Sequence, residues 1–262
     1  MGLWTLYAAE LHRRVRLVKR YPVQACADLL SFYLIFLGLH LAVSSMVRRV
    51  DPAGVAAVAS AQVVGFLAFY FGAMGLSVVE SQLYAEMSHG TLEQALLSPH
   101  SALVIVLSRF LATLTVEAVF SVPLMLLLVA TTAAPISFTP LMLIVFVLLM
   151  LGVFGLALVL GGLTLIFKRV GQLPFIFQIV FLGLGMSSPG NLPETVQRMS
   201  MALPFARGVS LLQELATGAT DRLGWSDMSL LVLSTAAYLV VGTAFFVWAE
   251  RVAKDRGLIA RY

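Results

Sequence analysis

Between Leu141 and Phe167 the chain reads LMLIVFVLLMLGVFGLALVLGGLTLIF, 27 residues with no charge and a single hydroxyl, Thr164. A hydrocarbon core about 30 Å thick is crossed by roughly 20 apolar residues rising about 1.5 Å each, so this run is long enough to span a bilayer. A turn holding Pro135 and Pro140 precedes it, and Lys168-Arg169 stops it. Working outward, five more runs satisfy the same reading: Val23 to Val47, Val55 to Val79, Ala102 to Thr132, Val170 to Ser187, which is short and broken by Pro174, and Met228 to Trp248. The composition agrees. Of 262 residues, 60% are hydrophobic and 11% charged, and the mean hydropathy is +0.96. A soluble domain is about one quarter charged, so a water-soluble globule is excluded and lipid is the main solvent. The single cysteine, Cys26, rules out an intrachain disulfide and a cysteine-based zinc cluster. The expected fold is therefore an all-α integral membrane protein with six transmembrane helices.

Lys and Arg in the loops set the orientation. With the N-terminus in the cytoplasm, the inner segments carry 11 basic residues and the outer segments 5, while Arg109 lies inside the third run. Both termini are therefore expected to be cytoplasmic. The net charge of +4 then reflects loop topology, and no nucleic-acid partner is implied. The expected organisation is an interface helix over 1–22, a six-helix membrane domain over 23–250 and a basic tail over 251–262.

Three segments are not spans. At 100° per residue, Trp4, Tyr7, Leu11, Val15 and Val18 share one face, while His12, Arg13, Arg16 and Arg20 lie around the other. This is an amphipathic helix lying on the membrane, either as a lipid anchor or as a seat for a protein partner. The inner loop 80–101 reads ESQLYAEMSHGTLEQALLSPHS and holds three glutamates, two histidines and no Lys or Arg. An acidic cytoplasmic loop with an apolar seam (Leu83, Met87, Leu92, Leu96) suits another protein better than phospholipid; the alternative is a solvated connector. Glu86, His89 and Glu93 match no standard zinc spacing.

The third segment, 188–226, lies outside. Asn191-Leu192-Pro193-Glu194 has capping-box form, and Pro204 restarts the chain into a helix striped by Phe205, Val209, Leu212 and Leu215. Two striped helices beside a shortened span predict a re-entrant hairpin dipping into the outer leaflet, with Pro204, Phe205 and Leu212 as gate residues. An interfacial loop held by lipid is the alternative.

No Gly-x-x-x-x-Gly-Lys-Ser/Thr phosphate loop, Gly-x-Ser-x-Gly elbow or His-Glu-x-x-His helix occurs. Within the spans the ionisable residues are Asp28, His40, Arg109 and Glu117. Glu117, about fifteen residues into its run, is expected near the bilayer centre, bonded to Gln62, Gln178 or a serine, or lining a transport path. Arg109 is expected to extend its stem to the interface. The glycines Gly152, Gly155, Gly161 and Gly162 predict close helix approach, at a dimer seam or within one chain.

The run from Glu86 to Ser101, with Gly90-Thr91-Leu92-Glu93 followed by Leu96-Leu97-Ser98-Pro99, resembles the loop of ABC-2 type transporter permeases, membrane subunits of bacterial ABC exporters. The likeness extends to the amphipathic N-terminal helix, the six spans, Leu203-Pro204 before the last span and the short basic tail with Gly257. It implies a half-transporter of a bacterial cytoplasmic (inner) membrane. Two permease subunits, as homodimer or heterodimer, would form the pathway, and two separate ATPase subunits would bind ATP and Mg, leaving no cofactor in this chain. By that likeness Glu86 to Leu97, including Met87, His89, Gly90, Thr91, Leu92, Glu93 and Leu96, is the coupling helix, and Trp4 to Arg20 is the interface helix. The family exports drugs, lipids, polysaccharides and ions. Many members carry an Arg about ten residues after the Leu/Asn-Pro pair, whereas this chain has Gln213-Glu214 there.

The leading functional expectation is a permease for an amphipathic, drug-like or lipid-like molecule. An integral-membrane transferase using Glu117, Glu194 or Glu214 lacks any catalytic cluster in sequence. An ion-driven secondary carrier using Asp28 and Glu117 leaves the acidic inner loop unexplained.

Overall fold

The computed structural model describes residues 3–50, 54–91, 100–168, 170–187, 203–218 and 225–255. These form eight helices and no strand: α1 (Leu3–Arg20), α2 (Pro22–Val50), α3 (Val55–Ser88), α4 (Ala102–Thr132), α5 (Pro140–Phe167), α6 (Leu173–Met186), α7 (Pro204–Ala216) and α8 (Trp225–Asp255). Five of them, α2, α3, α4, α5 and α8, are long and apolar enough to cross a membrane. The sixth expected span is α6, whose 14 residues rise only about 21 Å. Pro174 does not break it. It stands in the first turn, where proline lacks no needed donor, and starts the helix.

The helices sort by burial. In its most apolar window α3 is 72% buried and α2 only 6%, so α3 is the post around which the bundle is built and α2 is an outlying flank. Aromatic packing explains the attachment of α2. Phe32 and Phe36 meet Phe66, Phe69 and Tyr70 of α3 at ring-centroid distances of 4.9–6.5 Å. His40 adds a 2.8 Å hydrogen bond to Gln62. Between lipid-exposed helices no water is released on contact, so close packing and hydrogen bonds provide the attraction.

Glycines set the closest approaches. A Cβ at Gly65 of α3 would overlap the Gly185 carbonyl oxygen of α6, and one at Gly242 of α8 would overlap the Gly155 carbonyl oxygen of α5. These backbone contacts decide between the two expected sites for the small residues. Gly152 faces Pro204, Gly155 faces Tyr238, Gly161 faces Val79 and Gly162 faces Phe245, all within this one chain. The apolar core runs along the bundle as two clusters. One, around Phe66, Leu76, Leu149 and Phe205, fills the half away from α1. The other, around Val79, Leu83, Phe110 and Phe246, fills the half near it.

The expected loop at 80–101 begins as helix. α3 continues to Ser88, giving 34 residues and about 51 Å, well beyond a bilayer core, so its last turns project on the α1 side. Tyr70 is 15 residues, or about 22 Å, from the opposite end of α3. Glu117 accepts the Tyr70 hydroxyl, so the two side chains meet at one level of the bundle, near the middle of both helices.

A Gly155→Val variant should lose stability by about 1–3 kcal/mol or more, because its Cβ would come within 2.5 Å of the Tyr238 carbonyl oxygen, a backbone atom that cannot swing aside. Gly183→Ala, with nothing within 4 Å of the added Cβ, should stay within about 0.5 kcal/mol. Thermal unfolding in detergent compares the two, and equal melting temperatures would contradict the packing described.

Candidate functional site

The polar chemistry gathers where α1 meets the projecting ends of α3 and α4. Arg109, two turns into α4, donates from Nε to Glu10 of α1 at 3.1 Å and from its terminal nitrogen to Glu86 of α3. The side chains of Arg109, Glu10 and Glu86 are only 10%, 14% and 18% exposed. One planar guanidinium thus joins three helices, and its fork specifies their relative positions as a single point charge would not. Arg13 extends the cluster, 2.8 Å from Glu10 and 3.4 Å from Gln82 of α3. Two carboxylates against two guanidiniums leave it neutral, which is the condition for keeping charges at low exposure.

A second link lies about two turns deeper. Arg14 of α1 is 3.3 Å from Glu117 of α4, whose other oxygen accepts the Tyr70 hydroxyl. Tyr7 shares a 2.8 Å hydrogen bond with Thr115. The partners expected for Glu117 are engaged elsewhere: Gln62 with His40, and Gln178 with Ser77 and the Ala73 carbonyl. Glu117 is instead met by the Arg14 guanidinium and the Tyr70 hydroxyl.

These contacts revise the reading of α1. Tyr7, Leu11, Val15 and Val18 are half-buried as the apolar stripe predicts, but Glu10 and Arg14 turn inward with them. Trp4 stays 75% exposed, and Arg13, Arg16 and Arg20 also remain exposed. The helix is therefore pinned to α4 by ion pairs as well as by its apolar stripe. Arg109 does not extend away to the interface on its own; it is the centre of the cluster. The signal was present in sequence as a lone cation seven residues into an apolar run, although no periodicity names its partners.

The coupling residues divide. Met87 is buried against the second core cluster, and Glu86 faces Arg109, so neither side chain points outward from the tip, and Glu86 has the basic partner that the acidic loop by itself lacks. Tyr84, Ser88, His89, Gly90 and Thr91 are exposed at the tip of α3. Gly90 takes φ +67°, a conformation glycine adopts without strain, and Thr91 N–H closes the turn onto the Glu86 carbonyl at 2.9 Å. Leu92, Glu93 and Leu96 lie outside the described residues.

At the other end, Pro204, Phe205 and Leu212 are all buried. α7 begins deep in the bundle, with Pro204 against Gly152 and Phe205 stacked on Phe181 of α6 at 3.8 Å. It climbs to the loop before α5, where Ser137 N–H meets the Ala216 carbonyl at 3.2 Å. Because Phe181 pairs with Phe205 and Gly185 with Gln213, α6 and α7 climb side by side in the same direction. α7 is a core element, not a helix resting on the surface. The first expected helix of the hairpin, from Asn191, lies outside the described residues. Gln213, which stands near the position where many family members carry an Arg, is 2% exposed and donates at 2.9 Å to the Gly185 carbonyl. That carbonyl belongs to the last turn of α6 and has no partner within its own helix.

Over residues 3–216 the sequence matches the ABC-2 type transporter family. No curated protein matches the chain. Members of the family are membrane permeases without ATPase activity, and they generally pair with separate nucleotide-binding subunits. A match that runs from the interface helix through the whole of α7, on a bundle with five helices able to span a bilayer, makes this chain a member of the ABC-2 type transporter family and a multi-pass membrane permease.

Proposed function

We propose that the chain is the permease half of an ATP-driven exporter of a bacterial cytoplasmic membrane, with α1 and the tip of α3 on the cytoplasmic side, where they meet the ATPase subunit. The greater number of basic residues in the segments on that side supports the orientation. The observation that carries the reading is the Arg109 clamp. It joins the two elements that a docked ATPase would touch, α1 and the end of α3, to α4, which crosses the membrane. A push on the α3 tip would pass through one guanidinium to α1 and α4 together, without waiting for α3 to bend. ATP and Mg belong to the partner; this chain supplies the lever and the pathway.

Two such permeases would enclose the pathway, with α7 as its closure on the outer side. Seated among α3, α5 and α6, α7 occupies the outer half of the bundle, and its displacement would open that half. Phe205 and Leu212 serve this role by packing, so polar substitutions there would unfold the seat as well as open it.

ATP hydrolysis should be absent from the purified chain and should appear on co-purification with its nucleotide-binding subunit; hydrolysis by the chain alone, free of contaminants, would end the half-transporter reading. Tyr84→Ala combined with His89→Ala removes exposed side chains from the α3 tip. It should weaken pull-down of the ATPase subunit about tenfold while the melting temperature of the permease stays unchanged. Undiminished pull-down would remove the tip from the docking surface.

Arg109→Lys keeps the charge but loses the fork, and with it one charge-assisted hydrogen bond worth about 1.5–3 kcal/mol. The ATPase subunit should still bind, while transport per ATP hydrolysed in vesicles falls about tenfold. A parental ratio of transport to hydrolysis would show that the clamp carries no motion.

A further inference from the structure

A cleft of about 380 Å³ opens between α1 and α2, floored by α3 and α4, on the α1 side of the bundle. Its walls are two-natured. Leu29, Phe32, Met74 and Phe120 form an apolar lining, and Arg14, Asp28, Tyr70 and Glu117 bring polar groups to the same space. That volume lies in the range of small-molecule sites, which combine mostly apolar walls with a few placed polar groups.

The polar groups are unequally satisfied. Arg14 and Glu117 neutralise each other at 3.3 Å, and Tyr70 donates to the same carboxylate. Asp28 makes no ion pair among the described residues, and its hydrogen bond comes from the neutral amide of Gln24, one turn earlier, at 3.1 Å. Among the described residues lining the cleft Arg14 is the one basic residue, and its charge is already answered. Of the other cations of α1, Arg13 is engaged by Glu10 and Gln82, and Arg20 lies 5.6 Å from the ring centroid of Tyr21, outside the lining residues and without an ion pair to Asp28. Two carboxylates against one guanidinium leave the cleft with one uncompensated negative charge, located at Asp28. A carboxylate at the edge of a low-dielectric region attracts a cation more strongly than it would in water.

We propose that this cleft binds an amphiphile with a single positively charged head, the head paired with Asp28 and the apolar body laid over Phe32, Leu29, Met74 and Phe120. An aromatic wall adds to the selection, because a cation beside the rings of Phe32 and Phe120 is attracted by their faces. An anionic amphiphile would meet Asp28 with like charge and find Arg14 already occupied. The cleft opens where a molecule dissolved in the adjoining leaflet can enter sideways. Its description as a binding site rests on the geometry alone; its description as the entry point for exported cargo rests on the permease reading and gives that cargo a charge.

Tetraphenylphosphonium and tetraphenylborate share a shape and differ in the sign of their charge. The full chain in nanodiscs should bind tetraphenylphosphonium saturably, one per chain, above the uptake of empty discs, and should show no saturable uptake of tetraphenylborate. Asp28→Asn, at an exposed position, should elute and melt like the parent and bind the cation at least tenfold more weakly. Phe32→Ala should also weaken it. Saturable tetraphenylborate binding, absence of saturable cation binding, or an unchanged Kd in Asp28→Asn would each overturn the proposal. Discs of phosphatidylglycerol with and without phosphatidylethanolamine separate the sources of the cation. Competition by the ethanolamine lipid that vanishes in Asp28→Asn identifies a lipid amine as an occupant, whereas equal Kd values identify a free amphiphile, and both support a cation site. The measurement uses neither nucleotide nor ATPase subunit, so its failure leaves the docking result standing, and failed docking leaves the binding result standing.

Discussion

A guanidinium at a membrane boundary has to be answered by negative charge, and in this chain Arg109 is answered twice, by Glu10 and by Glu86. Much of the architecture follows from that requirement. To bring Glu10 to Arg109, α1 must pack against α4 with Tyr7 near Thr115 and Arg14 near Glu117. To bring Glu86 there, α3 must continue as helix well past the length a bilayer needs. The projecting tip of α3, the position of α1 and the level of Glu117 are thus consequences of one buried charge network. Removing one partner from such a network leaves the others uncompensated at a cost of about 3–5 kcal/mol.

The opposite half of the bundle obeys a different constraint. Without water to expel, helices gain by approaching until their backbones touch, and only glycine permits this at Gly65 on Gly185 and Gly155 on Gly242. The first contact seats the short helix α6 against α3, and the second joins α8 to α5. Once α6 ends inside protein, its last carbonyls need donors. Gln213 supplies one to Gly185, and Ser187 supplies its backbone N–H to Gly183. A glutamine in that place is therefore a structural answer to a truncated helix. This accounts for a polar residue on the buried side of α7 without invoking a ligand.

The two halves meet along α3. Its aromatic residues hold α2, its glycines admit α6 and α7, and its projecting end carries Glu86. This helix is buried along most of its length, in close-packed side chains that leave little room for local rearrangement.

Apolar run length and charge placement alone identified a membrane bundle, five of its spanning helices, the amphipathic N-terminal helix and the helix restarting at Pro204, because these properties depend only on neighbours in sequence and on the contrast between lipid and water. The acidic run beginning at Glu86 was legible as unusual for the same reason. Which carboxylate meets Arg109, that Arg14 rather than Gln62 answers Glu117, that Met87 packs inward, that α7 is core and not surface, and that Asp28 lines a cleft whose basic residue is already paired were decided only in three dimensions. Each depends on which helix lies beside which and at what level. A helix's period fixes the face a residue occupies, but its neighbour is chosen by glycine contacts and by ion pairs between residues up to about a hundred positions apart in the chain.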